Sequence, residues 1–190
     1  MIEHWFSTPI YIEDNVESNN VKLYEKEIKK YNIEKNNKIS PYQKSHGVYT
    51  SYCVDEITKN PIFQPLRNEI LKHNKILLTS QGYDPDWVDQ MKIINMWFSV
   101  SKKNSALSRH LHPGTISSGV FYVKSTPKNK IIFWKKDSMI LPPSNPNNVS
   151  CEYAIYECPQ NRLLIFKSDL EHSAPKQKEK EKIIISFNIS

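Results

Sequence analysis

The chain is poor in cysteine, and its 3 cysteines, Cys53, Cys151 and Cys158, are odd in number. An odd number without metal-ligand spacing fits a reducing compartment better than a disulfide framework, and the cytoplasm is the simplest placement. No stretch has the length or apolarity of a bilayer span, and Met1-Ile2-Glu3-His4-Trp5 does not begin a signal peptide. A soluble, unsecreted protein without a membrane partner is expected. No internal repeat is present. Concentrated charge of one sign is missing too. The net charge is +6 and the isoelectric point about 9.1, yet the lysines are scattered and often sit beside acidic residues, which gives no reason to expect a nucleic-acid partner. What remains is 190 residues with 38% hydrophobic and 11% aromatic content, enough for one substantial core and one domain over residues 1–190. The sequence is compatible with a homodimer and leaves the oligomeric state open.

The residues that carry chemistry lie toward the C-terminus: His110-Leu111-His112, then His172 in Leu170-Glu171-His172-Ser173, then Lys182 before Ile183-Ile184-Ile185-Ser186-Phe187-Asn188. Taken singly they are weak signals. A His-x-His pair arises by chance, a lone histidine is ordinarily a hydrogen-bonded residue, and Lys182 closes a mixed-charge run that reads as a solvated loop. Taken together they say more. In an extended segment residues i and i+2 share a face, so His110 and His112 can point at one metal ion while Leu111 packs behind them. His172 would complete a facial set with open positions, the arrangement of non-haem Fe(II) oxygenases. Lys182 begins a period-2 segment with Lys182, Ile184, Ser186 and Asn188 on one face and Ile183, Ile185, Phe187 and Ile189 on the other. The first face is polar enough to line a pocket.

Residues 1–90 read mainly as helical support. Asn19 or Asn20 can cap a helix carrying Val21, Tyr24, Ile28 and Tyr31, and Asn60-Pro61 can start a longer one through Leu66, Ile70, Leu71 and Leu78 that stops near Gly82. From residue 91 short strands take over at 93–100, 119–123, 131–134, 153–156, 163–166 and 183–189, broken by proline and asparagine turns. The expected class is α+β, a jelly-roll double sheet over residues 91–190 braced by the N-terminal helices. Residues 38–44 and the proline-rich stretch 141–148 read as loops, the latter either a lid over substrate or a plain connection. His46 reads as structural or exposed, and Trp97 as a core aromatic or a site residue.

The order of these elements resembles that of Fe(II)/2-oxoglutarate-dependent oxygenases of the prolyl-hydroxylase type, and more narrowly a group of small bacterial and phage members of that family. The shared features are the start Trp5-Phe6-Ser7-Thr8-Pro9-Ile10-Tyr11, the middle His110-Leu111-His112-Pro113 with Ser118-Gly119-Val120-Phe121-Tyr122-Val123, and the end from Leu163-Leu164-Ile165-Phe166 through His172 to Ile185-Ser186-Phe187-Asn188. The resemblance spans nearly the whole chain. It implies a double-stranded β-helix and a dioxygenase that couples decarboxylation of 2-oxoglutarate to hydroxylation of a C–H bond, with Fe(II), 2-oxoglutarate and O2 as cofactor and cosubstrates and an unknown substrate. It implies iron ligation by His110, His112 and His172, and cosubstrate binding by Tyr122 and Lys182. The family's usual carboxylate is His112 here, which leaves the protein ligands uncharged; the alternative is that His112 orients a water instead of the metal. Imidazole suits iron, zinc, copper and nickel alike. Most relatives carry arginine at Lys182, and many carry a serine where this chain has Ile184.

Two other classes stay open at this point. A cupin-like metalloprotein also uses His-x-His, but the glutamate expected shortly after the pair is absent from Pro113-Gly114-Thr115-Ile116-Ser117. A non-catalytic binding or structural protein on a degenerate oxygenase barrel is the other.

Overall fold

A computed structural model describes residues 7–31, 48–52, 57–136, 144–148 and 150–190. The start at Trp5-Phe6, the loop 38–44, His46, Cys53 and the first part of the 141–148 loop lie outside the described residues.

The strands are β1 (Ile10–Asp14), β2 (Val48–Thr50), β3 (Ile93–Lys102), β4 (Leu107–His110), β5 (Ser117–Lys124), β6 (Lys130–Trp134), β7 (Tyr153–Glu157), β8 (Arg162–Lys167), β9 (His172–Ala174) and β10 (Glu181–Ile189). Helix α1 spans Val21–Lys30; a 3-10 turn, Pro61–Phe63, leads into α2 (Gln64–Thr79), and α3 is Pro85–Asp89. One sheet has the order β1-β8-β5-β10-β3-β2 and the other β4-β9-β6-β7, with antiparallel pairing throughout. This is the expected α+β jelly roll. Among the described residues no helix is long and apolar enough to cross a membrane.

The long strands form where period-2 apolar residues can be buried on a sheet face. On β10, Ile183, Ile185, Phe187 and Ile189 are fully buried, packed with Phe121 and Leu163 beneath the helices. Helix α1 contributes Val21, Tyr24 and Ile28 to this core, and α2 contributes Leu66, Ile70, Leu77 and Leu78. Tyr24 meets the ring of Phe63 at 5.2 Å and the edge of Phe121 at 6.4 Å. A smaller core between the sheets joins Val120, Leu164 and Phe166 to Ile131, Phe133 and Leu170. Gly119 lies between its strand neighbours β10 and β8, where a Cβ would run into the ring of its register partner Phe187 and the Leu164 carbonyl.

Two local expectations are corrected. Asn20 occupies the first position before α1, but its side chain makes no cap and donates to Glu17 Oε2 at 2.6 Å. Glu17 is buried and also takes the Tyr24 hydroxyl at 3.0 Å, so a carboxylate in need of donors outcompetes the helix end. Asn60 does accept from Ile62 N, at 3.0 Å, and Gly82 has φ +86 just past α2. The second correction concerns the histidine pair. β4 ends at His110, so Leu111 and His112 lie past the strand, and Leu111 is exposed instead of packed behind the pair. The chain bends into the turn at Gly114 (φ +86), and His112 N donates to Ser168 O at 2.9 Å, which draws it across to the loop after β8.

Candidate metal centre

Three imidazoles converge between the sheets. β4 and β9 are neighbours with His110 and His172 as direct register partners, and their ring centroids lie 4.3 Å apart. The short β9 is held on its other side by β6, where Phe133 pairs with His172. His112 arrives from the turn, its ring stacked on that of His172 at 5.2 Å and 11°, with the two Nε2 atoms 3.4 Å apart. The nitrogen donors of the three histidines all lie within 4.8 Å of one another.

The ring orientations are fixed from behind. His110 Nδ1 is 2.8 Å from Ser108 O and His172 Nδ1 is 3.0 Å from Leu170 O. A carbonyl can only accept, so each Nδ1 carries a proton, and in the neutral ring each Nε2 has a lone pair for the centre. Burial, followed by the charge of His110, pushes the pKa of His172 down to about 3 and that of His112 to about 4. Both are neutral near pH 7, the form that ligates a metal. Phe166 and Phe133 back His172 with centroids at 4.8 and 6.0 Å, and Trp97 lies 5.8 Å from His112.

The imidazoles open onto a cavity of about 380 Å³. Lys182 and Tyr122 also line it, so the structure brings all five residues singled out in the sequence around one space. Trp97, left between core and site, does both: it is 7% exposed and lines the same cavity. Lys182 faces inward with Ile184 and Ser186, as the period-2 reading requires. It is buried and has no ion pair among the described residues, and burial pulls its pKa below the ordinary lysine range. Burial and the neighbouring Cys158 thiol push the Tyr122 hydroxyl well above its ordinary range. No carboxylate lines the cavity among the described residues. Its two other cationic side chains are already engaged, Arg109 with Glu171 and Lys130 with Glu157.

A buried polar chain, invisible in the sequence, supports the turn that carries His112. Asn188 Nδ2 donates to Asn95 Oδ1 at 2.9 Å, and Ser118 Oγ donates to Asn188 Oδ1 at 2.7 Å. Ser118 and Ser168 share a bond of 2.7 Å, and Thr115 Oγ1 donates to Ser168 Oγ at 2.8 Å. The inward alternation of Asn188 was the one available signal. Arg109 was also missed; it lies against Trp134 at 5.0 Å, and the Trp134 indole donates to Ser173 Oγ at 2.9 Å.

Comparison with known proteins agrees with this architecture. No curated protein matches the chain. A prolyl-4-hydroxylase from Pseudomonas putida is similar in structure with a TM-score of 0.66 at 13% identity, over 96% of this chain and 93% of that one. HygX from Streptomyces hygroscopicus, solved with nickel, 2-oxoglutarate and hygromycin B bound, gives 0.60 at 11% identity over 96% and 83%. The non-haem alpha ketoglutarate dependent epimerase SnoN from nogalamycin biosynthesis gives 0.68 at 10% identity over 96% and 78%. At such identities the likeness is one of fold, the double-stranded β-helix. Residues 95–188, which run from β3 into β10 and include every residue of the histidine cluster, match the family described as "Putative 2OG-Fe(II) oxygenase". Over residues 95–188, motif, fold and family match agree on a 2OG-Fe(II) oxygenase.

Proposed function

We propose that this protein is a non-haem Fe(II)- and 2-oxoglutarate-dependent dioxygenase that hydroxylates its substrate. His110, His112 and His172 hold the iron, and Tyr122 with Lys182 binds the far carboxylate of the cosubstrate. The observation that carries this reading is the placement of a buried, unpaired Lys182 in the same carboxylate-free cavity as three converging imidazoles. A buried ammonium without a counter-charge is costly unless a ligand brings one. 2-Oxoglutarate brings two negative charges, one for each end of the cavity.

The donor set fits the metal. Three imidazole nitrogens, two of them on rings hydrogen-bonded from behind, would make a facial set that leaves positions open for ligands. Iron with 2-oxoglutarate supplies the oxygen activation: one oxygen atom of O2 ends in succinate, released with CO2, and the other in the hydroxylated substrate. The chain itself supplies orientation and shelter. Ser108 and Leu170 carbonyls fix two imidazole rings, and Phe133 and Phe166 shield His172 while Trp97 shields His112. Lys182 gives a point charge and not a bidentate fork, so it holds a carboxylate without dictating its rotation. Hydroxylation is proposed because a prolyl-4-hydroxylase shares the fold, whereas SnoN shows that the same fold also serves an epimerase.

The test begins with anaerobic protein and Fe(II), to which 2-oxoglutarate is added while the visible metal-to-ligand charge-transfer band is followed. The expected band needs His172, is lost in His172→Ala and is weakened in Lys182→Ala. Binding of zinc or nickel with no band for Fe(II) and 2-oxoglutarate would reject the oxygenase chemistry in favour of a cupin-like or non-catalytic role.

A further inference from the structure

A hydroxyl with no assigned task stands beside Lys182. In the register of β3 on β10, Ser101 and Lys182 are direct cross-strand partners, so their side chains leave the same sheet face side by side. Both line the cavity and both are buried, at 5% and 6% exposure. The Ser101 hydroxyl makes no hydrogen bond among the described residues, although it is not sealed in the interior. Buried hydroxyls are nearly always satisfied, and one that opens only onto a cavity is satisfied by what enters it.

The neighbours on this face cannot do the same. Ser99 already donates to Thr50 Oγ1 at 3.0 Å, and Ile184, the next cavity-facing residue on β10, has no donor. A carboxylate offers about four lone-pair sites, and an ammonium alone leaves its rotation free. A hydroxyl next to that ammonium supplies the missing direction. We propose that Ser101 is a binding residue for the far carboxylate of 2-oxoglutarate, donating its hydroxyl beside Lys182. The inference rests on the cosubstrate reading given above.

The experiment titrates anaerobic Fe(II)-loaded protein, by the visible band and by calorimetry, with 2-oxoglutarate and separately with 2-oxovalerate, which has the same carbon chain without the far carboxylate. The wild type should prefer 2-oxoglutarate. Ser101→Ala should weaken 2-oxoglutarate by about tenfold, the loss of one hydrogen bond to a charged group, and leave 2-oxovalerate unchanged; Ser101→Thr should keep the wild-type affinity. Ser101→Cys, similar in volume with a poor donor, should show the same selective loss and serves if the alanine variant does not fold. Equal affinity of wild type and Ser101→Ala for 2-oxoglutarate, or an equal loss for both acids, overturns the role of Ser101 while leaving that of Lys182 intact. A wild type that does not distinguish the two acids overturns the cosubstrate reading, and this inference with it.

Discussion

The two faces of β10 are both buried and have opposite character. Toward the helices, Ile183, Ile185, Phe187 and Ile189 are fully buried in a continuous apolar core. Toward the second sheet, Lys182, Ile184 and Ser186 line a cavity, and Asn188 is tied into a polar chain with Ser118 and Asn95. Burial alone therefore does not tell stability from chemistry. What separates the faces is whether buried groups find partners inside the protein or are left to find them in a ligand. A strand with period-2 side chains can serve both ends at once, because the faces share a backbone and little else.

Substitutions on each side sharpen this contrast. The largest effect is expected from Phe187→Ala, which empties a ring from the helix-side core and should cost about 3–5 kcal/mol in denaturant unfolding. The folded fraction should still bind metal; a loss under about 1 kcal/mol would show that this face does not carry the stability.

Lys182→Met should act in the opposite sense, stabilising the ligand-free protein by about 1 kcal/mol while removing the 2-oxoglutarate preference, since function is held here against stability. The pH dependence has a definite sign. Burial places the folded pKa of Lys182 below the unfolded value of about 10.4. Between the two values unfolding takes up a proton, so the wild type gains stability as pH rises through that window. The advantage of Lys182→Met should shrink over the same range, and a constant difference in thermal melts would show that the ammonium carries no burial penalty.

The smallest effect belongs to neither face. Asp14 and Arg162 pair across β1 and β8, with Nε–Oδ1 and Nη2–Oδ2 both 2.7 Å. Because the pair is partly exposed, Asp14→Asn should cost only about 0.2–1 kcal/mol. The Arg162 hydrogen bond lowers the Asp14 pKa, so this contribution is present above about pH 3.9 and is lost as pH falls through the depressed value. A larger effect would mean that the rim of the sheet matters as much as its packed face.

Much of this was legible beforehand for physical reasons. The strands at 93–100, 119–123 and 183–189 lie within β3, β5 and β10, because a run of that length with apolar residues to bury leaves few alternatives. β4 and β9 were not legible: Leu-Ser-Arg-His and His-Ser-Ala are too short and too polar to show a period, and only pairing makes them strands. The same shortness explains Leu111. Period-2 alternation puts His110 and His112 on one face with Leu111 behind them, but the strand stops at His110 and a backbone bond to Ser168 takes over. Ser101 and Ser168 were hidden for another reason, since their partners lie far away in sequence and a serine, in a strand or in a loop, has no signature of its own.

A sparsely paired seam of the described fold lies under the histidines. β4 is an outer strand joined to β9 through only Leu107↔Ala174 and His110↔His172, with an irregularity between them. An ion held by His110, His112 and His172 would be a cross-link as well as a reactive centre, tying residues 60 apart in the chain across a sparsely paired edge. Amide exchange through residues 107–112 would then slow on loading while the helix-side core hardly changes, so that metal occupancy could be read in the mobility of an edge as readily as in a colour.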